Sequence, residues 1–312
     1  MANVMILSPK ESGFTREIKL LLPDLEVVSV HSPEQAIAEA DGVTTLITLG
    51  SEVTPAVLDA MPDLQWIQAL SAGTDNILEM PGLRDGVAVT SLSGAHGPQM
   101  AELAILMMLA LPRNLPRMID NQASHKWRRR PQPILVGKRL CVLGLGAIAE
   151  ALVARALPFG LEITGVSDGR SDMAGVTRIY PYAELEQAAA EADFLCILAP
   201  LSDRSRGIVN AAVLTALGPA GYLISMGRGP VIDEAALAEA LLNEGIAGAG
   251  LDVFCVEPLP QDSPFWDLPN VIITPHVGGL SDRYAAQAAP IVAANLTAWA
   301  TGGIAALTNR VR

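Results

Sequence analysis

The chain has 312 residues, half of them hydrophobic, with 33 acidic side chains against 21 basic ones and a formal net charge of −12. That length suggests two domains, with ample apolar material for sizeable cores. The acidic balance argues against nucleic acid as a partner, because phosphate binding needs a basic surface.

The start, MANVMILSPK, reads as a strand and lacks the basic region and small-residue cleavage site of a signal peptide. Further strands are expected at EVVSV from Glu26, TTLITL from Thr44, LQWIQAL from Leu64 and VAVTSL from Val87. Between them, SPEQAIAEA reads as a helix that Ser32 caps and Pro33 opens. Short apolar runs alternating with helical stretches imply parallel strands covered by helices on both faces.

Next comes LAILMMLAL, Leu103 to Leu111, too short to span a bilayer and read as part of a long buried helix. Arg128, Arg129 and Arg130 form the one basic cluster and read as a solvated loop. A second series of strands begins at Lys138, with KRLCVLGLG, EITGVS, DFLCILA, GYLISM, AGAGLDVF and NVIITPH. Helices are expected between them at AELEQAAAEA and DEAALAEALLNEG, the latter capped by Asp233 and ended by Gly245 in a left-handed turn. The Ala-rich segment from Ser281 to about Ala300 reads as helical despite Pro290. Cys141, Cys196 and Cys255 lie in apolar runs without metal-ligand spacing and read as buried free thiols in a reducing, cytoplasmic compartment.

Chemistry enters with LCVLGLGAIAEALVARAL. Gly144, Gly146 and Ala149 match G-x-G-x-x-G/A between a predicted strand and a predicted helix. Gly144 permits the tight turn, and Gly146 lets the backbone approach a pyrophosphate favoured by the helix N-terminus. The bland alternative is an ordinary strand-to-helix turn. The next strand ends at Ser167, followed by Asp168 and Arg170. Asp168 can accept from the ribose hydroxyls of NAD. Alternatively, Ser167 and Arg170 can hold the 2′-phosphate of NADP with Asp168 turned away, since a carboxylate facing a phosphate repels it. Placement alone does not decide, and the balance leans slightly to NADP.

Arg228, in SMGRGPVID, stands between glycines at a predicted strand end, where open α/β sheets bind ligands. Its planar guanidinium can grip a carboxylate through two hydrogen bonds. Asp252 ends the next strand, Glu257 follows five residues later, and TPHVGG ends the last strand with His276. Taken singly, each is more often a surface ion pair, a cap or a structural residue. Their order along the chain, after a glycine fingerprint, is what points to a site.

Together these motifs resemble the D-isomer-specific 2-hydroxyacid dehydrogenase family, closest in look to its glyoxylate/hydroxypyruvate reductase branch. The likeness covers nearly the whole chain and is densest from Val136 to Gly279. It implies two doubly wound parallel-sheet domains with a cleft between them. Residues 1–96 and 281–312 would form a flavodoxin-like substrate domain, and residues 97–280 a Rossmann dinucleotide domain. It implies a hydride transfer between nicotinamide and a small 2-oxo or D-2-hydroxy acid. Arg228 would bind the substrate carboxylate, His276 would be the general acid and base, and Glu257 would hydrogen-bond His276 and favour its protonated form. The stretch LSAGTDNI resembles the loop whose amides meet the substrate carboxylate, at Ala72 and Gly73. Cofactor contacts would fall at Gly144, Gly146, Ala147, Ile148, Ser167, Asp168, Arg170, Ala199, Pro200, Met226, Asp252 and Gly278. The short apolar runs imply no membrane span and the residue spacing no metal site, and the resemblance implies a homodimer formed through the dinucleotide domains.

The chain departs from the family pattern at Ala149, Cys141, Ser225 and Ser167. Two alternatives stay open at this point. One is a dehydrogenase tuned to a bulkier 2-oxo acid. The other is a non-catalytic, dinucleotide-sensing interaction protein on the same scaffold, which would have little need of Arg228, Glu257 and His276 together.

Overall fold

The alternation of β-branched runs and Ala/Leu-rich stretches folds into two parallel sheets with helices on both faces of each, in a computed structural model that describes residues 3–312 apart from the side chain of Glu11. The chain divides into two units, residues 1–96 with 281–312 and residues 97–280.

In the first unit the strands are β1 (Asn3–Leu7), β2 (Val27–Val30), β3 (Val43–Thr48), β4 (Trp66–Ala69) and β5 (Ala88–Thr90). They pair in the order β2-β1-β3-β4-β5, the flavodoxin-like arrangement. Four helices connect them: α1 (Phe14–Leu21), α2 (Pro33–Ala38), α3 (Pro55–Asp59) and α4 (Asp75–Leu78). The Ser32 hydroxyl accepts from the Gln35 amide at 3.4 Å, and Pro33 opens α2 where a missing N–H costs nothing. Thr54 and Pro55 repeat the device at α3.

The second unit begins with α5 (Gly97–Ala110) and α6 (Leu115–Ala123). It continues as β6 (Arg139–Leu143), α7 (Ala147–Ala156), β7 (Glu162–Val166), β8 (Arg178–Tyr180), α8 (Leu185–Ala190), β9 (Phe194–Ile197), α9 (Ala211–Leu217), β10 (Tyr222–Ser225), α10 (Glu234–Leu242), β11 (Gly248–Leu251) and β12 (Val271–Ile273). The sheet order is β12-β11-β10-β9-β6-β7-β8, so strand order reverses between β6 and β9. Ligands of open α/β sheets bind outside the carboxyl ends of the strands at such a reversal. The edge strand β8 escaped the sequence reading because its three residues carry no period. Met100, Ala104 and Met107 of α5 and Leu152 of α7 cover one face; Leu185, Val213 and Leu237 of α8, α9 and α10 cover the other.

The chain then returns to the first unit as α11 (Tyr284–Gly302), continuous through Pro290. Ala288, Val292 and Leu296 of α11 pack with Phe14 and Ile18 of α1 over Trp66. Beneath them runs a buried polar network. The Trp66 indole donates to the Thr90 hydroxyl at 2.9 Å, Thr90 donates to Gln68 Oε1 at 2.8 Å, and Asn295 Nδ2 donates to the same oxygen at 2.9 Å. Buried polar groups must be paired or they destabilise; these pairs lock β4, β5 and α11 into one register.

Two sequence expectations need correction. The left-handed residue ending α10 is Glu244, with φ of 55°, not Gly245. The Gly245 amide instead reaches back to the Ala240 carbonyl at 2.7 Å, closing a Schellman turn. Cys255 is exposed, whereas Cys141 and Cys196 are buried as expected. No helix of the described residues is long and apolar enough to cross a membrane.

Candidate active site

Three loops leave the carboxyl ends of β10, β11 and β12, and they carry Arg228, Glu257 and His276. Adjacent parallel strands bring these loops together, since β11 pairs with both β10 and β12. The approach of the first two is very close. A Cβ added at Gly229 would lie 2.0 Å from the Phe254 carbonyl carbon, so only glycine fits beside Arg228. Arg228 Nη1 donates to the Gly227 carbonyl at 2.8 Å. Glu257 folds back so that its Oε1 accepts from the Phe254 amide at 2.9 Å. Its other oxygen meets His276 Nδ1 at 2.7 Å. Both side chains are partly open to solvent, 47% for His276 and 35% for Glu257.

His276 sits at φ of 52°, a left-handed conformation that non-glycine residues adopt at a cost. Asp252 holds it there. Its carboxylate is buried, and Oδ1 accepts from the Thr274 hydroxyl at 2.5 Å and the Val277 amide at 3.0 Å. Oδ2 accepts from the Gly278 amide at 2.9 Å. The aspartate expected beside the nicotinamide therefore spends both oxygens on the histidine turn, and Gly278 is one of its donors. Thr274, which the sequence reading passed over, completes the clasp; a hydroxyl two residues before a histidine was the available signal.

The thiols offer no competing nucleophile. Burial pushes Cys141 and Cys196 up to about 12, while partial desolvation together with the neighbouring Glu234 carboxylate pushes Cys255 up to about 11.

At the strand reversal, Gly144 has φ of 96°, and a Cβ there would lie 2.5 Å from the Ala199 amide nitrogen. The fingerprint turn and the loop after β9, with Ala199 and Pro200, are thus in backbone contact. Met226 follows β10, and its amide donates to the Ile197 carbonyl at 3.1 Å. Gly146 caps α7 without a side-chain bond and has nothing within 4 Å of a built Cβ. The amides of Ala147 and Ile148 open this ten-residue helix, whose first-turn N–H groups have no intrahelical partners. An open glycine against an uncapped helix N-terminus fits a dinucleotide pyrophosphate.

Beyond β7, Ser167, Asp168 and Arg170 line one open depression. Arg170 bridges Glu150 of α7 at 2.7 Å and the Leu145 carbonyl at 3.4 Å. Asp168 Oδ1 accepts from the Tyr182 amide at 2.8 Å, and Oδ2 is bonded by Arg204. Arg204 had no place in the sequence reading, because nothing local links it to a residue 36 positions earlier.

Ala72 and Gly73 lie in the first unit, in the loop between β4 and α4, with Ala72 exposed. The Ser71 hydroxyl donates to the Gly73 carbonyl at 2.6 Å, and the Leu92 amide donates to the Ser71 carbonyl at 2.8 Å, which fixes the loop's shape.

The Asp252 clasp makes a testable statement. Charge-assisted hydrogen bonds contribute about 1.5–3 kcal/mol, so Asp252→Ala should lower unfolding free energy by about that amount in urea titration and depress turnover as the histidine turn loosens. Unchanged stability would show that the turn holds without the carboxylate.

Comparison with known proteins completes the picture. Residues 105–278 match the D-isomer specific 2-hydroxyacid dehydrogenase, NAD binding domain. A glyoxylate/hydroxypyruvate reductase B of Pectobacterium carotovorum subsp. carotovorum is 32% identical over 276 residues, covering 86% of this chain and 85% of the relative. A glyoxylate reductase of Thermococcus litoralis is 32% identical over 279 residues, covering 86% and 83%. Among solved structures, a D-isomer specific 2-hydroxyacid dehydrogenase family protein from Aeromonas salmonicida superposes with a TM-score of 0.89 at 28% identity, covering 100% of this chain and 99% of that one. An NADPH-dependent glyoxylate/hydroxypyruvate reductase from Sinorhizobium meliloti, in complex with NADP and sulfate, gives 0.86 at 27% identity, covering 100% and 98%. The chain belongs to the D-isomer-specific 2-hydroxyacid dehydrogenase family, and it is an NAD(P)-dependent oxidoreductase acting on hydroxy acids.

Proposed function

We propose that this chain reduces a small 2-oxo acid of glyoxylate or hydroxypyruvate size to the D-2-hydroxy acid, with NADP(H) preferred and His276 as the proton donor. One observation carries the reading: His276 Nδ1 is held by Glu257 at 2.7 Å. A carboxylate on Nδ1 fixes the ring's tautomer and orientation and commits Nε2 to proton exchange. The substrate size follows the names of the relatives, and the NADP preference follows the Sinorhizobium meliloti complex.

When bound, reduced nicotinamide supplies the hydride. The chain's own residues bind, orient and protonate. Arg228 grips the substrate carboxylate through its guanidinium and orients the carbonyl. In the first unit, the loop amides of Ala72 and Gly73 are donors suited to a carboxylate. As negative charge grows on the carbonyl oxygen, His276 Nε2 delivers a proton to it, and Glu257 stabilises the imidazolium from which that proton comes. In the oxidative direction the same nitrogen takes the proton back. Gly144, Gly146, Ala147 and Ile148 would hold the pyrophosphate, and Ala199, Pro200 and Met226 would contact the cofactor when it is bound. Residues 97–280 then act as the dinucleotide domain, and residues 1–96 with 281–312 as the substrate domain.

The same reading extends to assembly and location. Leu106, Ile119, Trp127, Ile134 and Val136 expose apolar surface on the dinucleotide unit, which supports pairing with a second copy. Free thiols at Cys141, Cys196 and Cys255 support a reducing, cytoplasmic setting.

Two outcomes are expected. With glyoxylate or hydroxypyruvate as substrate, His276→Ala should lower turnover by about 10²–10⁴-fold, the usual reach of general acid catalysis; near-normal turnover would remove His276 from that role. In light scattering after gel filtration, the protein should elute at twice its 32.8 kDa chain mass, and a monomer would contradict the pairing.

A further inference from the structure

The adenosine end of the dinucleotide unit carries an arrangement that neither the glycine fingerprint nor the residues after β7 explain. An enzyme selecting NAD keeps a carboxylate free at the end of this strand to accept from the ribose hydroxyls. Asp168 stands at that end with both oxygens engaged. Oδ1 accepts from the Tyr182 amide at 2.8 Å, and Oδ2 is paired with Arg204. The pairing crosses from the loop after β9, so it is not a by-product of local chain geometry.

The turn that presents Arg204 is tightly built. The Ser202 amide donates to the Ser205 hydroxyl at 2.8 Å, and the Ser205 amide donates to the Ser202 hydroxyl at 3.2 Å. Ser205 is buried, and its hydroxyl also bonds the Pro200 carbonyl at 2.7 Å. Arg204 itself is 72% exposed, so its guanidinium is accessible while its backbone is fixed. Across the same loop, Arg170 is anchored on Glu150 at 2.7 Å and on the Asp172 carbonyl at 2.9 Å. Ser167 adds a hydroxyl that accepts from the Gly169 amide at 3.2 Å and retains a proton to donate.

We propose that Arg204 is a cofactor-selecting residue: it masks the Asp168 carboxylate against NAD ribose and, with Arg170 and Ser167, seats the 2′-phosphate of NADP(H). The inference rests on the reading of residues 97–280 as the dinucleotide domain. Two effects act in the same direction. Pairing Asp168 removes the acceptor that ribose hydroxyls need and cancels a charge that would repel a phosphate. A guanidinium also presents a planar fork suited to phosphate oxygens. Without Arg204 the unmasked carboxylate would favour the cofactor lacking the phosphate.

The test uses two fragments, 2′,5′-ADP with the 2′-phosphate and ADP without it, titrated calorimetrically into the full-length protein. Wild type should bind 2′,5′-ADP more tightly than ADP. Arg204→Ala should weaken 2′,5′-ADP by about 10–100-fold, the worth of one charge-assisted contact, and leave ADP within about threefold. Adding Asp168→Ala to that variant should recover part of the loss, because the repulsion is then gone. Arg204→Lys, which keeps charge without the fork, should fall between. Equal weakening of both fragments, or no change in 2′,5′-ADP binding, would overturn the role of Arg204. A wild type that prefers ADP would also overturn it while leaving the dinucleotide reading intact. A wild type that binds neither fragment nor NADH or NADPH would overturn the dinucleotide reading itself.

Discussion

The hydrogen bond between His276 Nδ1 and Glu257 Oε2, at 2.7 Å, ties the loop after β12 to the loop after β11, and the proposed chemistry depends on it. An imidazole free to rotate would present either nitrogen to a substrate. With one nitrogen tied to a carboxylate, the other has a fixed role, and the positive charge formed during proton exchange has a counterion already in place. Glu257 can serve in this way because its second oxygen is tied to the Phe254 amide at 2.9 Å, so the carboxylate is itself held at both ends.

The rest of the second unit supplies the conditions for that contact. Parallel pairing of β10, β11 and β12 delivers three successive loops to one edge of the sheet. Gly229 lets the arginine loop abut Phe254, and Asp252 clasps the histidine turn through three donors. A left-handed histidine persists where the surroundings over-determine it. Arg228, Glu257 and His276 thus sit on loops that leave three adjacent parallel strands, and sheet register brings those loops to one edge. At the strand reversal, the open Gly146 and the uncapped start of α7 fit a cofactor pyrophosphate.

Much of this was legible in the sequence, for identifiable reasons. Strand-turn-helix context made Gly144 and Gly146 readable, and Ser32-Pro33 and Asp233 marked helix starts through capping chemistry alone. Arg228, Glu257 and His276 stood out through their order and their positions after apolar runs. What escaped was the long-range pairing. The partners of Asp252, namely Thr274, Val277 and Gly278, lie more than 20 residues along the chain, and no local pattern links them to it. Arg204 was invisible because its partner lies two strands earlier in sequence, across the sheet reversal. The edge strand β8 is too short to show a period, and the exposure of Cys255 depends on a loop whose path no local pattern dictates. Spacing reveals which residues reach a strand end; only the folded chain reveals which of them use up one another's hydrogen bonds.

The most direct measurement is the turnover of Glu257→Gln with glyoxylate or hydroxypyruvate, alongside its affinity for reduced cofactor by fluorescence titration. Glutamine keeps the length and the backbone bond but removes the charge that steadies imidazolium. Turnover should fall about tenfold or more while cofactor affinity stays at the wild-type value. Wild-type turnover from the glutamine variant would contradict the account, because the histidine would then be working without its carboxylate.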